Sequence, residues 1–220
     1  MSGERAQALR AFEALPLTER LFVRARLSSA PLEELARRAP AGRIVDIGCG
    51  HGVLSALLAT RSDRQVLGID PDPRKIDWAS RSVGRLPNAK FEVGTVQELA
   101  ARSPEQFDAA VVADVLYLLP TAEWLDFLRA TSALLKPGGV LLLKEAEADQ
   151  SWRYWKCVAQ EALMVRLLRR TQSSGAVGFA PRAVLESNLT DAGFAIDETV
   201  SLARGYTTPH VLFVARKAAR

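Results

Sequence analysis

Cysteine and histidine are scarce in this sequence, which has two of each among 220 residues. The cysteines, Cys49 and Cys157, form neither a CxxC pair nor a cysteine–histidine spacing typical of zinc sites. Two distant cysteines also do not make the disulfide framework that small secreted domains use. We therefore expect no metal, and a reducing cytoplasm as the location.

Long apolar runs are also missing. No run approaches the ~20 residues that a membrane-spanning helix needs. The first stretch, MSGERAQALRAFEALP, carries charges at Glu4, Arg5, Arg10 and Glu13 and lacks the apolar core of a signal peptide. We expect neither a transmembrane segment nor a secretory leader.

The charge balance is only mildly basic, with a formal net charge of +4. Such a balance permits a nucleic-acid partner without indicating one. The arginines are scattered, which predicts that they lie on solvated helix faces. The groups concerned are Arg20, Arg24 and Arg26, then Arg37 and Arg38, then Arg166, Arg169 and Arg170.

One stretch, IVDIGCGHG, organises the rest of the chain. A buried strand at 43–47 leads into glycines at Gly48, Gly50 and Gly52, and the apolar helix VLSALLA follows at once. A Cβ at these positions would block the tight turn or the approach of a ligand. Asp46 lies just inside the strand end, where a carboxylate can meet a cation. The pattern predicts a site for a nucleotide-like ligand.

Strands and helices alternate after this turn. Apolar strands are predicted at 65–70, 89–95, 107–114 and 140–146, and helices at 53–60, 73–83, 96–101 and 122–135, the last stopped by Lys136–Gly139. Continuous apolar strands with intervening helices indicate a parallel sheet covered on both faces.

The two ends of the chain depart from this alternation. Before it, helices are predicted at 4–14 and 17–29, with a short one after Pro31. Beyond it, a long helix at 149–170 and a loop precede a helix at 181–194 and strands at 195–202 and 210–217, whose spacing suggests an antiparallel hairpin.

The glycine spacing separates two classes of nucleotide site. The dinucleotide fingerprint is GxGxxG, but here the third glycine falls one position early, at Gly52, and Val53 stands in its place. This counts against NAD or FAD. Instead DIGCGHG, the acid Asp70 that ends the next strand, the apolar fourth strand and LKPGG before the fifth resemble the class I S-adenosylmethionine-dependent methyltransferases. The resemblance is close over 43–146 and looser over 181–217.

The element order and this resemblance together predict an α/β fold. It is a Rossmann-like three-layer sandwich on a seven-stranded, mostly parallel sheet with an antiparallel last strand, plus N-terminal helices. We expect one methyltransferase domain over 1–220. Residues 1–40 form its N-terminal helical cap, and 149–179 form a helical insertion near the acceptor pocket.

The resemblance implies a cofactor, S-adenosyl-L-methionine, which leaves as S-adenosyl-L-homocysteine, and no metal. Asp46 would lie near its methionine end, Asp70 would accept from both ribose hydroxyls, and Asp114 with Val115 would lie under the sulfonium. Thr95 stands where the family often has an acid that contacts adenine. The full implied set is Asp46, Gly48, Cys49, Gly50, Gly52, Asp70, Pro71, Ile76, Thr95, Val96, Asp114 and Val115.

Some of these residues also have purely structural interpretations. The glycines can serve only a tight turn, Asp70 can cap the helix after Pro71, and Cys49 fits a small packing residue better than a nucleophile. His51 fits a turn or the cofactor wall better than a base.

Acceptor-handling residues are expected at the carboxyl ends of the strands, where parallel sheets bind ligands. The catalytic candidates are Tyr117, Lys144, Glu145 and His210. Lys144 and Glu145 point to opposite faces of one strand, so at most one of them is expected to face the acceptor. His210 titrates near neutrality unless its environment shifts it, and it can also be a strand-end histidine satisfied by water or backbone.

The substrate-binding candidates are Tyr117, Trp152, Trp155 and Tyr206. Trp152 and Trp155 share one face of the helix predicted at 149–170. This helix is expected to roof the acceptor pocket and to favour an apolar or aromatic acceptor. The alternative is that it packs on the N-terminal helices as core.

The resemblance implies methyl transfer, and the candidate residues favour a small lipophilic or phenolic acceptor, with oxygen preferred and a general base optional. Amino-group DNA methyltransferases are excluded, because the fourth strand ends in ADVLYLLP rather than their (D/N)PP(Y/F) signature. An RNA methyltransferase is the nearest alternative, although residues 1–40 are too few for most RNA-binding modules. A noncatalytic cofactor-binding scaffold is the alternative of another class.

Overall fold

The computed structural model describes residues 3–146, 180–202, 206 and 210–218. Within these ranges a seven-stranded sheet forms the middle layer, in the order β3-β2-β1-β4-β5-β7-β6. The strands are β1 Gly42–Ile47, β2 Arg64–Asp70, β3 Ala89–Val93, β4 Phe107–Ala113, β5 Leu135–Ala146, β6 Phe194–Ser201 and β7 His210–Lys217. Neighbouring strands from β3 to β5 are parallel, and β7 is antiparallel to both β5 and β6.

Helices cover both faces of this sheet. They are α1 Gly3–Arg10, α2 Leu17–Ser29, α3 Leu32–Arg38, α4 Val53–Leu58, α5 Pro73–Arg81, α6 Val96–Arg102, α7 Trp124–Leu134 and α8 Arg182–Asp191. Alternate strand residues face opposite layers, so Ile44 packs with α1–α4 while Val45 packs with α6–α8. The predicted three-layer α/β architecture is therefore confirmed, including the antiparallel last strand.

The predicted start of the fifth strand, at residue 140, was wrong, whereas the helix before it ends at Leu134, close to the predicted residue 135. Residues 136–139 were expected to be a stop signal ahead of the strand, but β5 already begins at Leu135, which pairs with Phe107. The pairing shifts register between Phe107 and Ala109, and Gly138 has a φ of +73°. The glycines thus bend a strand that has already begun pairing, as at a β-bulge. At the other end of the chain, α1 ends at Arg10 rather than at residue 14.

The predicted insertion at 149–179 lies outside the described residues, and so do Trp152 and Trp155. Across the part of the chain that the structure covers, every helix is too short or too polar to cross a membrane.

The direction of β7 decides what meets at the ligand edge of the sheet. Strands β1, β2, β4 and β5 bring their last residues to this edge. Since β7 runs the other way, it brings its first residue there, and His210 pairs with Ala146 at the end of β5.

Candidate functional site

A cavity of about 710 Å³ opens at the carboxyl edge of the sheet. Among the described residues, four parts of the chain contribute most of the lining: helix α2, the glycine turn after β1, the segment after β2 and the loop after β4. The lining includes Glu19, Phe22, Ala25, Arg26, Ser29, Asp46, Gly48, Cys49, Gly50, His51, Asp70, Pro71, Asp72, Arg74, Lys75, Trp78, Asp114, Val115, Tyr117, Leu118 and Leu119.

The glycine turn lies against the loop after β4 and leaves open space above its backbone. Gly48, Gly50 and Gly52 have φ values of +71°, +56° and +78°, a conformation that favours glycine. A Cβ on Gly48 would lie 2.6 Å from Cγ2 of Val115, whereas one on Gly50 would meet nothing within 4 Å. Gly48 is therefore needed for close packing, and Gly50 borders space into which a ligand can move.

Asp70 ties the glycine turn to the loop after β2. Its Oδ2 accepts from the backbone N–H of Gly50 at 3.0 Å, and its Oδ1 accepts from the N–H of Asp72 at 2.9 Å. Each carboxylate oxygen has a second lone pair, so the group can still accept from ligand hydroxyls. Asp70 is not the cap of α5, because Asp72 accepts from the N–H of Arg74 at 2.9 Å and occupies that position.

Asp46 is buried at the end of β1 and borders the cavity. Its Oδ2 accepts from the Ser55 hydroxyl at 2.6 Å. Burial raises the pKa of Asp46 to about 7, against the lowering effect of the Ser55 hydrogen bonds. A cationic group in the cavity would favour the charged form of this carboxyl.

The remaining candidates for cofactor contact fall into two groups. Cys49 and Pro71 line the cavity, and burial, then Asp46 and Asp70, raise the pKa of the Cys49 thiol well above its usual range. This thiol therefore stays protonated, as expected of a packing residue. Outside the lining formed by the described residues lie Gly52, Ile76, Thr95 and Val96.

The adenine contact of Thr95 stays a prediction. The Thr95 hydroxyl accepts from the N–H of Glu98 at 3.3 Å, and the Glu98 carboxylate accepts from the N–H of Thr95 at 2.8 Å. This is a capping box that starts α6. The hydroxyl is thus already engaged in a structural role.

Asp114, the residue after β4, lies between two cations. Its Oδ2 accepts from Arg26 Nη2 at 2.5 Å, and its Oδ1 accepts from Lys144 Nζ. The exposed fractions of the side chains are 31% for Arg26, 7% for Asp114 and 0% for Lys144. Burial alone would raise the pKa of Asp114, but Lys144 and Arg26 outweigh it and hold that pKa below its usual range. We call Arg26, Asp114 and Lys144 the ion triad.

Asp114 also has an unusual backbone conformation. Its φ is +61°, in the left-handed region that residues with a Cβ rarely adopt. Aspartate and asparagine tolerate this region better than most residues. The conformation accompanies the position of the carboxylate between α2 and β5.

Glu145 has a different set of partners from its neighbour Lys144. Its Oε1 accepts from the N–H groups of Val115 and Leu116, both at 2.9 Å, and its Oε2 has no partner within the described ranges. Burial, followed by the charge of Asp114, raises the pKa of Glu145 to about 7. Neither Lys144 nor Glu145 is part of the cavity wall. Lys144 supports Asp114, and Glu145 holds the loop after β4.

His210 lies behind the wall rather than in it. Its Nε2 is 3.4 Å from the Ser29 carbonyl oxygen, and the Tyr206 ring meets its ring edge-on with centroids 5.8 Å apart. Burial, then the charge of Lys144, lowers the pKa of His210 to about 4, so the ring is neutral near pH 7. Its Nδ1 has no hydrogen-bond partner in the part of the chain described. Among the described candidates for contact with the acceptor, Tyr117 borders the cavity, and His210 and Tyr206 lie outside its lining.

The helix predicted at 17–29 is α2, but sequence reasoning missed that it closes one side of the cavity. Glu19 Oε2 is 3.0 Å from His51 Nε2, and the Phe22 ring is 4.8 Å from the His51 ring, so α2 is attached to the glycine turn. Arg26, expected on a solvated face, contacts Asp114 instead. The signal that finds this face is spacing: Glu19, Phe22, Arg26 and Ser29 recur every three or four residues, as along one side of a helix.

The described residues offer no cluster of side chains that could bind a metal ion. No three His, Cys, Asp or Glu side chains there lie close enough together to hold an ion.

Comparison with known proteins agrees with this architecture. A family model described as methyltransferase domain matches residues 19–199. A ubiquinone biosynthesis O-methyltransferase of Xanthomonas campestris pv. campestris is 37% identical over 120 residues, which are 53% of this chain and 49% of the relative. A protein of the same name from Stutzerimonas stutzeri is 29% identical over 76% of this chain and 71% of its own length. This chain thus spans about half the length of the Xanthomonas relative.

Among solved structures, a SAM-dependent methyltransferase from Methanosarcina mazei is similar in fold. It covers 87% of this chain and 99% of its own, with a TM-score of 0.65 and 24% identity. The match of the family model over most of the chain confirms the family predicted from the glycine motif. The chain belongs to the class I S-adenosylmethionine-dependent methyltransferase family.

Proposed function

We propose that this protein transfers the methyl group of S-adenosylmethionine to a hydroxyl oxygen of a small, apolar or aromatic acceptor. The observation that carries the proposal is one cavity that borders both the glycine turn with Asp70 and the loop Asp114–Leu119. Its volume falls among those of pockets for small ligands. The names of the Xanthomonas and Stutzerimonas relatives support oxygen as the methylated atom.

The residues at one end of the cavity suit the cofactor. We call Asp46, the glycine turn 48–52 and the segment Asp70–Lys75, which joins β2 to the start of α5, the glycine-turn end. Gly50 leaves room for close approach, Asp70 keeps lone pairs for two ribose hydroxyls, and Asp46 offers a buried carboxyl to the ammonium group. Bound S-adenosylmethionine supplies a methyl group already activated by its sulfonium.

The protein's own task is to bind, orient and exclude water. Orientation of two reactants in one site contributes as much as about 7–11 kcal/mol to such reactions. In this proposal Phe22, Tyr117 and Leu118 provide an apolar wall for the acceptor. Asp114, held charged by two cations, accepts a hydrogen bond from the acceptor hydroxyl.

The catalytic candidates take different parts in this proposal. Tyr117 contacts the acceptor directly. Lys144 positions Asp114, and Glu145 positions the backbone of Val115 and Leu116. His210 supports the wall through Ser29. With its pKa lowered to about 4 it is too weak a base to take the hydroxyl proton near pH 7, so in this proposal that proton passes to water.

The experiment combines binding with transfer. Calorimetry with S-adenosylhomocysteine is followed by transfer from labelled S-adenosylmethionine to a panel of phenols, catechols, aromatic amines and total RNA. We expect binding and label on the hydroxyl compounds. Absence of binding contradicts the proposal. Label on RNA favours the RNA enzyme, and binding without transfer to any acceptor favours a noncatalytic scaffold.

A further inference from the structure

Helix α2 has a second side, which lies outside the lining of the cavity. Leu17 and Leu21 stand on this side one turn apart, and their exposed fractions are 66% and 57%. Single exposed leucines are common on protein surfaces. Two neighbouring ones form a small apolar patch, and its transfer out of water is favourable. The pair is therefore suited to a partner that has an apolar layer.

A groove lined by arginines lies between α2 and the first part of the chain. Its volume is about 210 Å³, and Arg10, Arg20, Arg24 and Glu13 supply its charged groups. Within the described ranges, none of these three guanidiniums forms an ion pair, with Glu13 or with any other carboxylate. Because three positive charges face one negative charge, the groove is positive. Guanidinium groups of this kind bind phosphate through paired N–H donors.

The positive groove and the leucine pair are adjacent on α2. Arg20 stands three residues after Leu17, and the same spacing separates the next pair. Arginines beside exposed aliphatic side chains are typical of helices that lie in a membrane interface. There the cations attract lipid phosphates and the aliphatic groups enter the acyl boundary. One bilayer surface thus matches both features.

Two other partners fit these features less well. RNA-binding surfaces stack bases on aromatic side chains. Among the described residues the exposed large apolar side chains are instead aliphatic, namely Leu17, Leu21, Val93 and Val184. In a symmetric dimer the same patch would meet its own copy, so that arginines face arginines. The charge pattern therefore disfavours a second copy of this chain.

We propose that the outer side of α2 and the groove beside it dock on an anionic lipid bilayer. The residues are Leu17, Leu21, Arg10, Arg20 and Arg24, which we call the docking face. This interaction goes beyond the proposed function and does not depend on it. Because the other side of α2 lines the cavity, docking brings that cavity to about one helix diameter, ~10–12 Å, from the bilayer. An acceptor dissolved in lipid then reaches the protein from the membrane.

The test measures co-sedimentation of the full chain with lipid vesicles. Vesicles of phosphatidylcholine alone are compared with vesicles that also contain phosphatidylglycerol. We expect binding to the anionic vesicles, weaker binding to the neutral ones, and a decrease with added salt, because salt screens the attraction. Absence of binding to anionic vesicles overturns the proposal.

Two double variants separate the charges from the apolar pair. Arg20→Gln with Arg24→Gln should lower the partition coefficient on anionic vesicles roughly thirtyfold, since each basic residue near such a surface contributes about fivefold. Leu17→Ser with Leu21→Ser should lower it roughly tenfold, because less apolar surface enters the interface.

Matched controls make the same types of change at exposed positions elsewhere. Arg85→Gln with Arg129→Gln removes two positive charges, and Val184→Ser removes apolar surface. They should leave vesicle binding nearly unchanged, and thermal melts establish that all variants fold. An equal decrease in the control and docking-face variants would show that net charge alone drives binding, which also overturns the proposal.

Three further results would assign the docking face to another partner. Each of them, found without vesicle binding, overturns the proposal: binding of a labelled RNA oligonucleotide, calorimetric binding of inorganic phosphate, or a dimer that Leu17→Ser with Leu21→Ser abolishes. Methyl transfer to a water-soluble phenol without vesicles tests the proposed function separately. It should be the same in the docking-face variants, since none of these residues lines the cavity.

Discussion

The two ends of the cavity are built in different ways. The glycine-turn end comes from a short stretch, Asp46–Lys75, in which backbone N–H groups of one loop meet the carboxylate of the next. The other end, formed by the ion triad, brings together side chains from α2, the loop after β4 and β5. A local motif therefore forms the first, and long-range packing forms the second.

The two ends also differ in the partners, and therefore in the pKa, of their buried carboxyl group. Asp46 has a hydroxyl partner, and burial raises its pKa to about 7. Asp114 has two cations, which hold its pKa below the usual range against the effect of burial. The glycine-turn end is therefore suited to a cation from outside the chain, whereas the chain itself supplies the cations at the triad end.

The largest effect is expected from a substitution that breaks the ion triad. Asp114→Asn keeps a side chain that tolerates a positive φ but removes the charge, which leaves Lys144 buried without its nearest anion. We expect a loss of about 3–5 kcal/mol in the free energy of unfolding, measured by urea denaturation. In a double-mutant cycle, Lys144→Met should recover part of this loss, and strict additivity of the two changes would contradict the ion pair.

The next effect is a pH dependence at the glycine-turn end. The pKa of Asp46 is about 7 in the folded protein and near 3.8 for an ordinary carboxyl, so the folded state holds this proton more tightly than the unfolded state. Its stabilisation is fully present below about pH 4 and is lost as pH rises through about 7. The Asp46→Asn variant should not lose stability in this way as the pH rises, because its amide does not titrate. The amide oxygen can still accept from the Ser55 hydroxyl.

The measurement is the free energy of unfolding of both proteins from pH 4 to pH 8. The free energy of unfolding of the variant minus that of the wild type should rise with increasing pH, by up to about 1.4 kcal/mol per pH unit below pH 7. A flat difference would show that Asp46 titrates normally in the folded state.

A third change acts on cofactor binding. Asp70→Ala removes the acceptor shared by Gly50 and Asp72, so both loops lose their connection. We expect affinity for S-adenosylhomocysteine to fall roughly tenfold to a hundredfold, because hydrogen bonds to charged groups contribute about 1.5–3 kcal/mol. Asp63→Ala, at an exposed acid beyond the opposite end of β2, serves as the control. An equal fall in both variants would contradict a specific role for Asp70.

The smallest effect is expected at Thr95, and it tests whether this residue belongs to the glycine-turn end. Thr95→Ala removes the cap of α6 and should cost about 1 kcal/mol of stability. Because the hydroxyl already accepts from Glu98, we expect affinity for S-adenosylhomocysteine to stay the same. A clear loss of affinity would restore Thr95 as an adenine contact.

The sequence predicts the glycine-turn end better than it predicts the triad end. Glycine spacing, strand composition and Asp70 are local signals, and they predict the fold and the glycine-turn end. The contact of Arg26 with Asp114 joins residues 88 positions apart, so it depends on how α2 packs over the sheet. Local composition indicated a solvated arginine, and the spacing of Glu19, Phe22 and Arg26 was the signal for the cavity face. The start of β5 at Leu135 was missed because pairing with Phe107 overrides the breaker residues.

The reversed direction of β7 has a consequence for engineering the protein. Its first residue, His210, lies beside the triad end, and its last, Lys217, lies at the opposite edge of the sheet, about 25 Å away over eight strand residues. Substitutions in the first residues of β7 will therefore change the surroundings of the triad end without altering the glycine turn. A label attached beyond Lys217 will report on the protein from a point remote from the cavity.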